Sequence, residues 1–386
     1  MENKIVSVVL PCLNEEEGIR ICLEKIKDVF QKENINGEII VVDNGSTDKS
    51  AQIAKGAGAK VIFQPVHGYG AAYIKGLDEA KGEYIVIADA DDTYDFYQIP
   101  QFIKLLSEGY GLVMGNRFKG NMTKGAMTFS HKYIGNPIIT FVFRIFFHTK
   151  ISDVLCGIRA FTKEAYRKMD LKCLGMEFGT EMIFASLQQN LKITEIPANY
   201  FPRKGQTKLK SFQDAWRYFR FMLLFSPDWL FIVPGLSLFI LGFAALIFSG
   251  TNNFNLFGHR FNIHSMVFFT FFPLLGFQIL TLGLFAKTYS QIEGFSKKNK
   301  FLQTFYEKFN LEKGLLTGSG ILFLGFFIGL YILSKWITKG FGPLNEIKLA
   351  LLSLIFMTLG IQTIFASFFI SLLGIKKQSH LTIKDF

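Results

Sequence analysis

The chain has 386 residues, 49% of them hydrophobic and 19% charged, with 44 Phe, a formal net charge of +11 and a mean hydropathy of +0.27. Such a composition excludes a disordered, collagen-like or disulfide-scaffold protein. The bias is uneven: residues 1–228 hold 29 Lys/Arg against 26 Asp/Glu, whereas residues 229–386 hold 13 against 5.

From the N-terminus, Ile5–Leu10 reads as a buried strand ended by Pro11, with no secretory leader before it. Asn14 is placed to cap the next helix, with Glu15, Glu16 and Glu17 in its first turn. A second strand, Glu38–Val42, runs into Asp43-Asn44-Gly45-Ser46-Thr47-Asp48, followed by a helix over Ala51–Gly56 and a third strand over Lys60–Gln64. Gly68-Tyr69-Gly70 opens another helix, and Tyr84–Ala88 is a fourth strand that ends at Asp89-Ala90-Asp91-Asp92. Strands alternating with helices predict a mostly parallel sheet covered on both faces, with ligands at the carboxyl ends of its strands. Asn14-Glu15, Asp43 and the Asp89 cluster all fall at such ends.

Further on, Ile138–Phe147 and Lys210–Leu224 mix aromatic and cationic side chains, as helices in a lipid headgroup layer do. The interfacial segments are expected near 132–150 and 210–226. Four apolar runs then follow, at about 229–250, 265–286, 315–334 and 349–374, each near the ~20 residues that cross a bilayer core. The expected organisation is a soluble domain over 1–228, four membrane spans over 229–374 and a tail over 375–386. The connection 287–314 carries Lys287, Lys297, Lys298, Lys300, Lys308 and Lys313, whereas 251–264 carries only Arg260. Loop charge therefore predicts that the soluble domain and both termini are cytoplasmic. Cys12, Cys22, Cys156 and Cys173 lack metal-like spacing and read as reduced packing thiols.

Three nucleotide-binding patterns compete for the soluble half. Gly68-x-Gly70-x-x-Tyr73 follows the third strand and lacks the last small residue of a dinucleotide fingerprint, and no G-x-x-x-x-G-K-[ST] loop occurs. What remains is Asp89-Ala90-Asp91 directly after a hydrophobic strand. Its hard oxygen ligands suit Mg2+ or Mn2+, which in turn hold a diphosphate.

The segments Leu10–Glu15, Val42–Asp48, Asp89–Asp91, Gly115-Asn116-Arg117, Asp153–Phe161, Gly175–Phe178 with Glu181, and Pro202–Leu209 occur in an order and spacing that resembles family 2 glycosyltransferases of GT-A fold. Among these the chain looks most like polyprenyl-phosphate hexosyltransferases, the dolichol-phosphate glucose or mannose synthases. The fold class implied is α/β: a Rossmann-like GT-A domain followed by an all-α domain of four transmembrane helices. The resemblance implies that Pro11, Asn14, Glu15, Asp43 and Ala90 hold the nucleoside, with Asp43 reading the base. It implies that Asp89 and Asp91 serve the ribose-diphosphate and the metal. This chain has Thr93 where a third ligand, Gln, often stands, Asn44 in place of the second Asp of Asp-Asp-Gly-Ser, and His131 in place of a phosphate-binding Arg.

Residues 1–118 hold 12 basic and 18 acidic side chains, and residues 119–220 hold 17 and 7. An acidic half facing a basic half suits a diphosphate donor and an anionic acceptor. Arg117, Arg159, Arg203 and Lys208 are the cations expected near phosphates: Arg203 and Lys208 at the donor diphosphate, Arg117 with Ser130 and His131 at the acceptor. The expected reaction moves a hexose from a nucleotide sugar, UDP-glucose in the first place, to a dolichyl or undecaprenyl phosphate, with inversion. GDP-mannose and UDP-GlcNAc stay open as donors, as do a processive polysaccharide synthase and a non-enzymatic lipid-linked sugar flippase or scaffold. Gln213-Asp214-Ala215-Trp216-Arg217 has the last two residues of a processive Q-x-x-R-W helix reversed. A lipid bilayer and a possible homo-oligomer are the expected partners, and no nucleic acid is.

Overall fold

The structure, a computed structural model, describes residues 5–206, 208, 211–250, 255–256, 259–260, 263–292 and 310–375. Thr207, Leu209, Lys210, the tail beyond 375, and Lys297, Lys298, Lys300 and Lys308 of the second inter-span connection lie outside the described residues. The chain forms two compact units, Met1–Met222 and Leu223–Phe386.

In the first unit the strands are β1 (Val6–Cys12), β2 (Gly37–Asp43), β3 (Lys60–Phe63), β4 (Tyr84–Ile87), β5 (Leu112–Asn116), β6 (Arg159–Thr162) and β7 (Ile193–Pro197). The helices are α1 (Ile19–Lys32), α2 (Ser50–Gly56), α3 (Tyr69–Glu79), α4 (Ile99–Ser107), α5 (Asn136–Phe147), α6 (Lys163–Met169), α7 (Phe178–Gln188) and α8 (Ser211–Leu224). One seven-stranded sheet in the order β3-β2-β1-β4-β6-β5-β7 carries the unit, and only β6 runs antiparallel to its neighbours. Val6–Leu10 and Tyr84–Ile87 are buried throughout, as central strands covered on both faces are.

Register brings the polar strand ends together. Cys12 pairs with Asp43, and Val9 pairs with Ile87, so continuing β4 by two residues sets Asp89 level with Pro11. The approach of α1 to this edge depends on Gly18, where a β-carbon would lie 2.8 Å from the Ala90 carbonyl oxygen. One local expectation fails. Helix α1 begins at Ile19 with Gly18 as its cap residue and no acid in its first turn. Asn14 instead takes a left-handed conformation (φ 52°), and its Oδ1 accepts from the Thr47 backbone N–H at 2.7 Å. Asn14 ties the loops after β1 and β2 together rather than starting a helix, an Asn use that competes with capping.

Helices α5 and α8 are amphipathic. On α5 and the π-helical turn before it (His131–Gly135), Tyr133, Ile134, Ile138 and Phe141 point outward, while Thr140 and Phe143 are buried. On α8, Asp214, Tyr218, Phe221 and Met222 are buried, and Phe212, Trp216 and Phe219 are exposed beside Arg217 and Arg220.

The second unit contains α9 (Val233–Gly250), α10 (Ile263–Ile292), α11 (Leu311–Thr338) and α12 (Ile347–Ile375). Among the described residues these give four helices long and apolar enough to cross a membrane. They close on small residues. Gly235 faces the Leu280 backbone, Gly242 faces Pro273, and Gly318 faces Gly360, each leaving no room for a β-carbon. Ser353 Oγ donates to the Gly325 carbonyl at 2.7 Å. In lipid, where apolar burial gives no drive between helices, such close backbone approach supplies the packing energy.

Candidate active site

The loops after β1, β2 and β4 converge with residues 200–206 and Lys208. Asp43 closes β2, and its Oδ1 accepts from the Ser46 N–H at 2.9 Å. Asn44 uses both halves of its amide: Nδ2 donates to the carbonyls of Gln64 and Val66, and Oδ1 accepts from the Gly68 N–H at 2.8 Å. An Asp there would lack the two donors, which accounts for this departure from the family pattern. Buried Ala90 presents its carbonyl to Gly18, and Pro11 sits half-buried in β1.

Asp91, Glu15, Arg203 and Lys208 form one network, and Asp89 feels its charges. Arg203 pairs with Glu15 through Nη2 and with Asp91 Oδ2 through Nη1, the latter at 3.0 Å. Lys208 Nζ donates to Glu15 Oε1 at 2.5 Å and to the Asn14 carbonyl at 2.7 Å. Glu15 Oε2 and Arg203 Nε are buried with no partner among the described residues. Burial pushes the Glu15 carboxyl upward, opposed by Lys208 and Arg203. Burial, and then the charge of Asp91, push Asp89 up to about 7.

Two neighbours hold the Asp pair, and the sequence alone does not show either contact. Tyr69 at the start of α3 donates its phenol to Asp89 Oδ1 at 2.9 Å, a contact across twenty positions that its place between two glycines hides. Thr93, at the position where a third ligand often stands in the family, donates its hydroxyl to Asp91 Oδ1 at 2.6 Å and so orients that carboxylate. Opposite Asp89 Oδ2 stands Gly157, where a β-carbon would come within 2.6 Å of that oxygen. No side chain fits there unless that carboxylate shifts.

The structure gives Arg117 a different partner from the one expected. It follows β5 as anticipated, but it is 6% exposed and its fork closes on buried Asp153, Nε to Oδ2 at 2.8 Å and Nη2 to Oδ1 at 2.7 Å. Burial works against its charge, and Asp153 more than offsets this, leaving the guanidinium firmly protonated. Its outer face stacks over the Tyr200 ring at 5.3 Å. Asp153 is held in turn by Glu195 of β7, whose Oε1 accepts from the N–H groups of Ser152 and Asp153. A cation whose two-pronged face is already taken is a poor first receptor for a second phosphate, and the sequence offered no sign that Asp153 lay across from it.

Arg159 is buried and donates to the backbone carbonyls of Val154, Cys156 and Gly179, so it staples a loop. Ser130 and His131 sit on the exposed approach to α5, both within reach of the Thr128 hydroxyl, with His131 Nδ1 at 3.0 Å. Cys12, Cys22 and Cys156 are free and buried, with burial raising each thiol, Cys12 to about 11 and Cys156 to about 12.

Residues 7–170 match the profile of Glycosyl transferase family 2, and residues 284–374 match that of the glycosyltransferase family 2 C-terminal transmembrane region. Low-salt glycan biosynthesis hexosyltransferase Agl6 of Haloferax volcanii is 36% identical over 371 residues, 96% of this chain and 89% of that protein. Dolichyl-phosphate hexose transferase of the same organism is 30% identical over 209 residues, covering 54% of this chain and 87% of that one. Among solved structures, glucosyl-3-phosphoglycerate synthase from Mycobacterium tuberculosis is 22% identical with a TM-score of 0.46, over 57% of this chain and 79% of that chain. A seven-stranded Rossmann-like sheet with its acids at the strand ends, four apolar helices beyond it, and a relative matched over nearly its whole length lead to one conclusion: the chain is a membrane protein belonging to glycosyltransferase family 2, with a GT-A domain.

Proposed function

We propose that this protein transfers a hexose from a nucleoside-diphosphate donor to a polyprenyl phosphate held in the membrane, with inversion at the anomeric carbon. The observation that carries the reading is Asp91 and Glu15 interlocked with Arg203 and Lys208, with Asp89 held beside them by Tyr69, in a chain that also has four helices long and apolar enough to cross a membrane. Buried Arg203 Nε, without an acceptor, suits a phosphate oxygen, and buried Glu15 Oε2, without a donor, suits a nucleoside N–H or hydroxyl. The name of the dolichyl-phosphate hexose transferase relative supports the same acceptor class.

In this reading Pro11, Asn14, Glu15, Asp43 and Ala90 line the nucleoside, and Arg203 and Lys208 exchange their carboxylate partners for the diphosphate. Asp89 and Asp91 are hard oxygen donors suited to Mg2+ or Mn2+. Among the described residues no group of three or more His, Cys, Asp or Glu could hold a metal, so diphosphate oxygens and water would complete the shell. The ion would neutralise the departing nucleoside diphosphate. The acceptor phosphate is already anionic at neutral pH and needs positioning rather than a strong base. Ser130 and His131 meet it at the lip of α5, in the stretch 119–152, which carries Lys119, Lys124, Lys132, Arg144 and Lys150 and no acid. The outward aromatic faces of α5 and α8 seat the domain in the headgroup layer. Both termini and the domain face the cytoplasm, on the strength of the lysine-rich connection 287–314.

UDP-glucose is the preferred donor. Incubating the full-length protein with labelled UDP-glucose and polyprenyl phosphate should give a chloroform-soluble, mild-acid-labile product. Label appearing only in a long polymer, or in no lipid product with any nucleotide hexose, would overturn the reading.

Metal affinity should report on Tyr69 and on pH together. Tyr69→Phe removes the phenol that fixes Asp89, and loss of such a supporting bond typically costs about tenfold or more in metal affinity. The raised carboxyl of Asp89 sets the sign of the pH effect. Without metal, ionising it costs native stability increasingly as pH rises from its ordinary 3.8 to about 7 and no further above that. A divalent ion requires the ionised form, so its affinity should fall about tenfold from pH 8 to pH 6. Calorimetric Mn2+ titrations of wild type and Tyr69→Phe at both pH values check this, and a flat profile would contradict it.

A further inference from the structure

The hydroxyls near the middle of the membrane helices are satisfied at home. Thr270, Thr281, Thr358 and Thr363 each donate to a carbonyl of their own helix at 2.7–2.8 Å. Two carboxamides differ. Gln278 is the sixteenth of the thirty residues of α10, and Gln362 the sixteenth of the twenty-nine of α12, so both stand at mid-depth. Gln278 is exposed and its side chain has no partner among the described residues; Gln362 Oε1 is buried and equally without one. The two are neighbours in level: Phe285 and Phe369, each seven residues further along, bring their rings within 4.6 Å.

An amide at the centre of a bilayer has no water to turn to, and leaving it unpaired is costly. Its surroundings show what can meet it. The exposed residues of α10 include Phe268, Phe271, Gln278, Leu282 and Tyr289, at intervals of three, seven, four and seven. This is the heptad spacing of a helix seam, with His264 and Tyr289 near its ends and Gln278 the polar residue at its centre.

We propose that this face of α10 is the seam of a homodimer in which Gln278 pairs with Gln278 of a second copy. All copies enter a membrane in one orientation, so a two-fold axis must run along the membrane normal. A seam on a single helix then meets itself in parallel, residue facing the same residue. A carboxamide has one donor group and one acceptor, so two of them close a reciprocal pair. A lone central polar residue also fixes the register of such a seam.

The test uses the full-length chain in liposomes. In a Cys173→Ser background, with the other three cysteines buried, Phe271→Cys, Gln278→Cys and Leu282→Cys should each form a disulfide-linked dimer on mild oxidation. Ile240→Cys, on an exposed face of α9, should not. Energy transfer between labelled wild-type copies should show dimers, and Gln278→Leu should weaken association about three- to tenfold, with Gln278→Asn retaining part of it. Three results would each overturn the proposal: monomeric wild type, equal cross-linking at 240 and 278, or undiminished association of Gln278→Leu.

Discussion

Turnover of Asp91→Asn is expected to fall by about two to three orders of magnitude, corresponding to the several kcal/mol of leaving-group stabilisation assigned to a divalent ion. The substitution is nearly isosteric. The amide oxygen can still accept from Thr93, while the negative charge facing Arg203 is gone. Arg203 keeps Glu15 as an ionic partner, so the segment 200–206 should hold its place and the domain should stay folded. The diagnostic pairing is label transfer to the lipid fraction beside thermal unfolding on the same preparation. Lost transfer with an unchanged unfolding temperature supports a metal-bearing carboxylate. Full activity of wild type in excess chelator would remove the metal from the scheme, and full activity of Asp91→Asn would remove Asp91.

The largest stability effect should come from the Arg117–Asp153 pair. Removing one member of a buried ion pair leaves the other charge stranded and typically costs about 3–5 kcal/mol. That is a large share of the roughly 5–15 kcal/mol that holds a domain folded. Asp153→Asn should therefore lower the unfolding temperature of the full-length protein in detergent by about 10 °C, at some 2–4 °C per kcal/mol for a domain of this size. Asp153 has no exposed surface, so solvent cannot take its place. Replacing both partners by apolar residues, Arg117→Met with Asp153→Leu, should recover part of the loss, because no lone charge remains. If Asp153→Asn instead left stability unchanged and raised only the KM for polyprenyl phosphate, Arg117 would return to the acceptor site.

Much of the architecture could be read from local pattern. The runs Val6–Leu10 and Tyr84–Ile87 read as buried strands, because most of their side chains are aliphatic and β-branched. The four long uncharged stretches have to be helices in lipid, because only there are their backbone groups satisfied without water. Asp43, Asp89 and Asp91 fall at strand ends because polar residues after a buried strand have nowhere else to go. A one-dimensional pattern captures these features because each depends on the polarity of consecutive residues.

Pairings over distance are another matter. That Arg117 closes on Asp153, that Arg159 spends itself on three carbonyls, that Tyr69 holds Asp89, and that Arg203 and Lys208 lock onto Glu15 all depend on which of several equivalent partners the sheet brings near. A cation in the sequence carries a charge and no direction. The choice between a phosphate and a neighbouring carboxylate is made by register and burial: inserting antiparallel β6 between β4 and β5 draws the segment before it, and with it Asp153 and Gly157, up to the ends of both strands. Likewise, Asn14 has the chemistry of a helix cap, but the β1–β2 register sets it across from Thr47, and the nearer donor wins.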